Sequence, residues 1–197
     1  MAMTLDQVVP WGRSLDEYRH MFSLTDDDLK RKILGCGDGP ASFNAEMHAL
    51  GHRVISFDPI YAFSRAQIEQ RVQEMYHKMV EQVGKSREDY VWTRFRDEYD
   101  LADHRLACMR RFFEDYDAGL VDGRYLLESL PKLSFSHSQY NLALVSHLLF
   151  LYSEQLSLEF HLDSILEICR VANEVRIFPL LDLKCRKSAH LESVQTA

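Results

Sequence analysis

The sequence predicts a single α/β domain over residues 1–197: a mostly parallel sheet of about five strands, flanked by helices and carrying a helical insertion at about 61–123. Three observations predict it. A glycine-rich turn, Gly35-Cys36-Gly37-Asp38-Gly39, separates a short apolar run from a helical one. A second apolar run, Arg53–Phe57, ends on Asp58-Pro59 and completes a βαβ unit of the usual ~30 residues. Strand-like runs then alternate with helical periodicity as far as Pro179, the pattern of parallel strands joined by crossover helices.

Bulk properties agree. A chain of 197 residues, 46% hydrophobic and 27% charged, suits one domain with an ordinary core. The net charge of −7 argues against a general nucleic-acid binder, which needs a positive field. Arg94, Arg96, Arg105, Arg110 and Arg111 read as a solvated helix face. The four cysteines form no CxxC pair and read as reduced thiols of a cytoplasmic protein. No HExxH or CxxC zinc pattern occurs, so no metal site is expected. No apolar run approaches the ~20 residues of a bilayer span, and residues 1–10 lack a signal-peptide pattern, so no membrane partner is expected.

The elements follow in order. Ser14 and Glu17 form a capping box that starts a helix over 14–22. Arg31–Leu34 is a strand leading into the glycine-rich turn. Pro40 fits the first turn of the next helix, with Phe43, Met47 and Leu50 on one face and Gly51 as its stop. Ser64 and Gln67 cap a helix whose apolar stripe is Ile68, Val72, Met75, Met79 and Val83, stopped by Gly84. A second insertion helix carries Leu106, Met109, Phe113 and Tyr116, and Gly119 and Gly123 close the block. Strands resume at Arg124–Leu127 and Tyr140–Ser146. A helix over Leu158–Ala172 turns Leu162, Ile165, Leu166 and Cys169 inward, and Val175–Pro179 is the fifth strand. Ser188 caps a last short helix.

Ligands of such sheets bind beyond the carboxyl ends of the strands, where the glycine-rich turn and Asp58 both lie. Glycines at 35, 37 and 39 permit a sharp turn and close approach of a ligand to the backbone. The same glycines also serve a purely structural turn. Asp58, 19 residues after Gly39 and directly after an apolar strand, is placed to accept ribose hydroxyls; the other reading is a solvated loop acid.

"ILGCGDGPASFNAE" together with "VISFDPIY" resembles the first two cofactor motifs of class I S-adenosylmethionine (SAM)-dependent methyltransferases, whose fold is Rossmann-like. "LESLPKLSFSHSQYNLALVSHLLFLYSEQL" resembles their third and fourth motifs, and "RVANEVRIFPLL" the segment of their fifth strand. More narrowly, GRS-x-DEY near the start and FPLLDL near the end resemble a bacterial group of uncharacterised methyltransferases.

The resemblance implies a transferase that binds SAM and methylates a small molecule. It implies that Gly35, Cys36, Gly37 and Gly39 pass beneath the methionine part, Asp58 with Pro59 holds the ribose, and Ser129 and Leu130 border the adenine. Ser146 and His147 face the methyl group, and Arg13 and Tyr18 close over the methionine carboxylate; a surface arginine and a core tyrosine are the plainer readings of that pair. His147 is the candidate general base, against a packed or capping histidine. Two departures stand out. The acid at the end of the first strand is absent, its place falling on Gly35 or Ile33, with Asp38 as a substitute, and the fourth-strand Asp is Asn141. A non-catalytic SAM-binding or interaction domain and a nicotinamide-dependent oxidoreductase remain open. The family's C-terminal strand pair has no counterpart after Leu181, so a truncated form, or self-association through an exposed fifth strand, is expected.

Overall fold

The computed structural model describes residues 11–85, 87–89 and 91–196. The expectations for residues 1–10 and for the side chain of Met79 lie outside the described residues. Five strands form one sheet: β1 (Ile33–Cys36), β2 (Val54–Phe57), β3 (Tyr125–Leu126), β4 (Leu142–Ser146) and β5 (Val175–Phe178). Their order is β3-β2-β1-β4-β5, and every pairing is parallel. This is a Rossmann-like α/β sheet. β1, β2 and β4 are buried along their whole length, which is why they read as unbroken apolar runs rather than alternating ones.

The alternation of side chains divides the core in two. Ile33, Val54, Leu142 and Leu144 pack against α1 (Leu15–Met21) and α3 (Phe43–Ala49). Leu34, Cys36, Ile55, Phe57, Ala143 and Val145 face the opposite side, where α6 (Leu158–Val171) lays Ile168 and Val171 against them. Short helices α2 (Asp26–Leu29) and α7 (Leu191–Thr196) complete the frame, α7 packing on α6.

Several boundaries and one helix face differ from expectation, β1 running on through Gly35 and Cys36. Pro40 precedes its helix instead of opening it: α3 starts at Phe43, so the turn after β1 runs three residues longer. Gly84 lies within α4 (Arg65–Lys85) and Gly119 within α5 (Glu98–Val121), neither stopping its helix. The inward face of α6 is His161, Ser164, Ile168 and Val171, with Ile165 packed against the core as expected, whereas Leu166 is 67% exposed and Cys169 is exposed. Ser188 accepts the His190 N–H at 3.3 Å, short of capping α7 itself.

The insertion is only partly an excursion. α5 packs on α3 and β3, making it the crossover helix between β2 and β3. Its Asp115 takes both guanidinium nitrogens of Arg124 at 2.7 Å, and Arg124 also donates to Asn44 of α3 at 2.9 Å. Tyr61, Phe112, Phe113, Tyr116 and Tyr125 form an aromatic cluster that α4 joins through Ile68 and Val72. The fifth strand is an edge strand, paired in the sheet with β4 alone. All four residues are partly buried, Val175 and Ile177 against one core and Phe178 against the other. Arg176 ties β5 to Asp28 at 3.1 Å. No helix among the described residues is long and apolar enough to cross a membrane.

Candidate functional site

Strand order reverses between β1 and β4, and ligands of open parallel sheets bind at such a point. Cys36 pairs with Val145 there, so Gly37 and Ser146 leave the sheet side by side. The turn after β1 is shaped by what its glycines leave empty. A Cβ on Gly35 would lie 1.8 Å from Asp38 Oδ2, so the glycine makes room for the Asp38 carboxylate rather than for a ligand. Gly37 and Gly39 have φ of +69° and +56°, and Leu148 from the β4 loop fills the space over Gly37.

Asp38 thus occupies a buried place below the turn. Its Oδ1 accepts from the Tyr18 hydroxyl at 2.7 Å and its Oδ2 from Ser56 Oγ at 2.6 Å. Burial raises its pKa to about 6, and the two hydroxyls offset only part of that rise. Tyr18 is a core residue. Its ring is fully buried and stacked on Phe43 at 4.1 Å, and its hydroxyl donates to Asp38.

Asp58 stands at the end of β2 with one oxygen on the Gly39 N–H at 2.9 Å and the other on the Ile60 N–H at 2.8 Å, where it caps the short 3-10 turn opened by Pro59. Tyr61 closes that turn onto the Gly39 carbonyl at 2.8 Å. Each Asp58 oxygen keeps a free lone pair, because an ionised carboxylate offers about four acceptor sites.

The β4 loop is strained. His147 and Leu149 have φ of +51° and +53°, a region that side chains other than glycine rarely occupy. The His147 N–H donates to the Phe178 carbonyl at 2.7 Å, its ring lies edge-on to Phe178, and its Nδ1 is 3.1 Å from Ser146 Oγ. Burial, then Arg13 and Arg105, push its pKa well below the ordinary imidazole value, so the ring is neutral. Residues 11–14 cross the glycine-rich turn: a Cβ on Gly12 would lie 2.0 Å from the Pro40 carbonyl oxygen. This segment delivers Arg13, which donates to the Trp11 carbonyl at 3.0 Å and makes no ion pair among the described residues. Burial and the nearby Arg105 lower its pKa to about 9, and the Glu17 carboxylate opposes that shift without pairing with it.

The expected residues therefore converge in part. Gly35, Gly37, Gly39, Asp58, Ser146, His147, Arg13 and Tyr18 gather around the ends of β1, β2 and β4. Cys36 contributes backbone only, since its thiol is buried in the core. Ser129 and Leu130 lie past β3, two strands from β1, in a turn closed by the Lys132 N–H on the Ser129 carbonyl. Leu130 packs into the core there, and Ser129 is exposed. Asn141 precedes β4, at the opposite end from the site, and accepts the Lys32 N–H at 3.0 Å. It cannot replace the fourth-strand acid.

Ser56, Leu148 and Arg105 were not singled out as site residues. Ser56 is the one polar residue in an apolar strand, which is a readable signal. Arg105 is buried against Glu17, not part of a solvated face, and its Nε has no partner. Glu17 also accepts from the Ser14 N–H at 3.0 Å and from His104 Nε2 at 3.1 Å. Cys108 adjoins His104 at 3.5 Å, so Glu17, His104 and Cys108 present ligand-type atoms within 4.8 Å of one another. The Glu17 carboxylate is already committed to its helix cap and to Arg105, which makes this group a charge-neutralising network.

No family model matches the chain, and no solved structure matches it. Over 193 residues it is 32% identical to MJ0045, an uncharacterized protein of Methanocaldococcus jannaschii, covering 98% of this chain and 86% of that one.

Proposed function

We propose that this chain, which belongs to the same family as the uncharacterized M. jannaschii protein, is a SAM-dependent methyltransferase acting on a small molecule. The observation that carries the reading is Asp58 at the carboxyl end of β2, held against the Gly39 N–H of the β1 turn beside the point where strand order reverses. A carboxylate so placed suits a ribose diol. The residues fit the cofactor in two further respects. Asp58 retains acceptor capacity for two hydroxyls, and Arg13, which makes no ion pair among the described residues, offers a cation to a carboxylate.

SAM supplies an electrophilic methyl group on a sulfonium that is a good leaving group. The protein's part is then binding, orientation and exclusion of water. The turn at Gly39 presents backbone to the methionine portion, with Arg13 at its carboxylate. Ser146 and His147 stand where the acceptor would enter. Ser129 and Leu130 serve the adenine only from the sheet edge. The four free thiols fit a reducing compartment, and we place the protein in the cytoplasm.

A non-catalytic nucleoside-binding domain is the second reading, favoured by one observation: both Asp58 oxygens already hold backbone N–H groups. Calorimetry with S-adenosylhomocysteine, with NAD as control, tests the binding claim. Asp58→Ala should weaken S-adenosylhomocysteine by roughly 10- to 100-fold, about 1.5–3 kcal/mol for hydrogen bonds to a charged group. Equal affinity in a folded variant removes Asp58 from the site, and no binding by the unaltered protein removes the reading. Methyl transfer to metabolites that co-purify with the protein separates catalysis from binding alone.

A further inference from the structure

Polar side chains converge where α1 meets α5, next to the segment that carries Arg13. His104 and Cys108 stand four residues apart on α5, so they share one face of that helix. They meet Ser14 and Glu17 from the start of α1. His104 Nε2 lies 3.1 Å from Glu17 Oε2, 3.5 Å from Cys108 Sγ and 3.5 Å from Ser14 Oγ. Ser14 Oγ is in turn 3.4 Å from Glu17 Oε2. The imidazole, thiol and carboxylate atoms all fall within 4.8 Å of one another.

Hydrogen bonding explains only part of this grouping. An ionised carboxylate only accepts, so the Nε2 proton is directed to Glu17 Oε2. Cys108 and Ser14 then stand beside a nitrogen that has neither a second proton nor a lone pair for them. A tetrahedral ion explains the whole set. Zinc bonds of about 2.0–2.3 Å place neighbouring ligand atoms roughly 3.3–3.6 Å apart, close to the separations found here. Glu17 can serve without losing its ion pair, because Arg105 takes the other oxygen, Oε1. The Ser14 N–H, 3.0 Å from Oε2, orients the ligating oxygen as an outer-shell donor.

We propose that Glu17 Oε2, His104 Nε2 and Cys108 Sγ bind a zinc ion, with the Ser14 hydroxyl at the fourth corner. A thiolate and an imidazole select zinc over magnesium or calcium, which take oxygen ligands. The ion takes the place of the proton between His104 and Glu17, and Cys108 binds as the thiolate. Two anionic ligands then offset the two charges of the ion. With the proton in place of the ion, the same atoms are the charge-neutralising network around Glu17. Glu17 and Cys108 are buried while the His104 side chain is 35% exposed, so the ion enters past His104. The bound ion would join α1 to α5 and fix the start of α1, and with it the segment that crosses the glycine-rich turn. Zinc spacings in the sequence do not reveal the set, because Glu17 is 87 residues from His104.

The site is independent of the methyl-transfer reading, and so is its test. Full-length protein stripped of metal by a chelator is titrated with zinc alone by calorimetry, and with cobalt(II) as a spectroscopic probe. The unaltered protein should bind a single zinc and gain thermal stability, and its cobalt form should show a thiolate-to-cobalt charge-transfer band. Cys108→Ser should abolish that band. Replacing the two exposed cysteines together, Cys169→Ser with Cys185→Ser, should leave it intact. His104→Gln, at a partly exposed position, should weaken zinc by at least about 100-fold, since loss of an outer-shell partner alone costs about 10- to 100-fold. Absence of zinc binding by the unaltered protein overturns the site, and that measurement needs no variant to fold. Unchanged zinc affinity in folded His104→Gln overturns it too. So does a band that survives Cys108→Ser or disappears with the exposed cysteines.

Discussion

Two buried carboxylates lie on either side of α1, and their surroundings differ in one respect. Glu17, on the α5 side, meets the Arg105 guanidinium, His104 and its own helix cap. Asp38, on the sheet side, meets only hydroxyls. Burial pushes both acids up. For Glu17 the His104 hydrogen bond and Arg105 overcome it and hold the carboxyl well below the usual range, whereas Asp38 rises to about 6. A full opposite charge outweighs desolvation; hydroxyl hydrogen bonds do not. The first arrangement is a fixed ion pair that joins α1 to α5. The second leaves an acid able to change protonation state near neutrality, at the end of the sheet where open parallel sheets bind ligands.

The largest effect should come from breaking the ion-pair side. Glu17→Ala strands a buried Arg105 whose Nε already lacks a partner, and it removes the Glu17 half of the α1 capping box, leaving the Ser14 cap. Breaking one half of a buried pair costs about 3–5 kcal/mol. Urea titration at pH 7 should show that loss as a lowered midpoint. A cost below about 1 kcal/mol, the level of surface pairs, would mean that Arg105 finds solvent and the contrast between the two acids is false.

The Asp38 side should instead show itself in pH dependence. Its pKa is about 6 folded, against an ordinary value of 3.8. Between those values the folded state keeps a proton that the unfolded chain has lost. The stability this contributes is complete below the lower value and is lost as pH rises through the higher one. The loss amounts to roughly 3 kcal/mol between pH 3 and pH 7. Asp38→Asn cannot titrate, so the stability of the unaltered protein relative to this variant should fall by about that amount over the same interval. Glu17 runs the other way in both proteins and cancels in the difference. Parallel pH profiles for the two proteins would show that folding leaves the Asp38 pKa at its ordinary value.

How much of this was legible in the sequence depends on whether one strand or several decide a residue's place. The strands of the sheet were legible because buried parallel strands are apolar throughout, and the glycine-rich turn and Asp58 followed from their position after β1 and β2. The α6 face was misassigned by hydropathy, since His161 and Ser164 point inward and Leu166 points out. Arg105 looked like its exposed neighbours, because nothing local says that Glu17, 88 residues away, sits opposite. The missing first-strand acid is the clearest case. Asp38 supplies a carboxylate near its place only because Gly35 lacks a Cβ and Ser56 and Tyr18 come from other elements, a juxtaposition made by the fold.

The smallest expected effect is the most selective. Ser56→Ala removes one of the two hydroxyls on Asp38 and leaves the other. Ser56 Oγ also lies 3.0 Å from Asn44 Nδ2, but Asn44 keeps the Val54 and Arg124 carbonyls at 3.1 and 3.2 Å, so no donor is orphaned there. The stability cost should be about 1 kcal/mol, that of one hydrogen bond. The more telling change is in Asp38 itself. The Ser56 hydrogen bond favours the ionised form, so its loss lets burial act with less opposition and moves the Asp38 titration above its value of about 6. The direction discriminates between mechanisms: admission of water to the space left by the hydroxyl would lower the titration, and loss of the hydrogen bond in a dry site raises it. Carboxyl carbon NMR of Asp38 across pH 4–9 reads this directly. A downward movement would show that the site is wet, and that Asp38 owes its raised pKa to Asp58 and the local fold more than to desolvation.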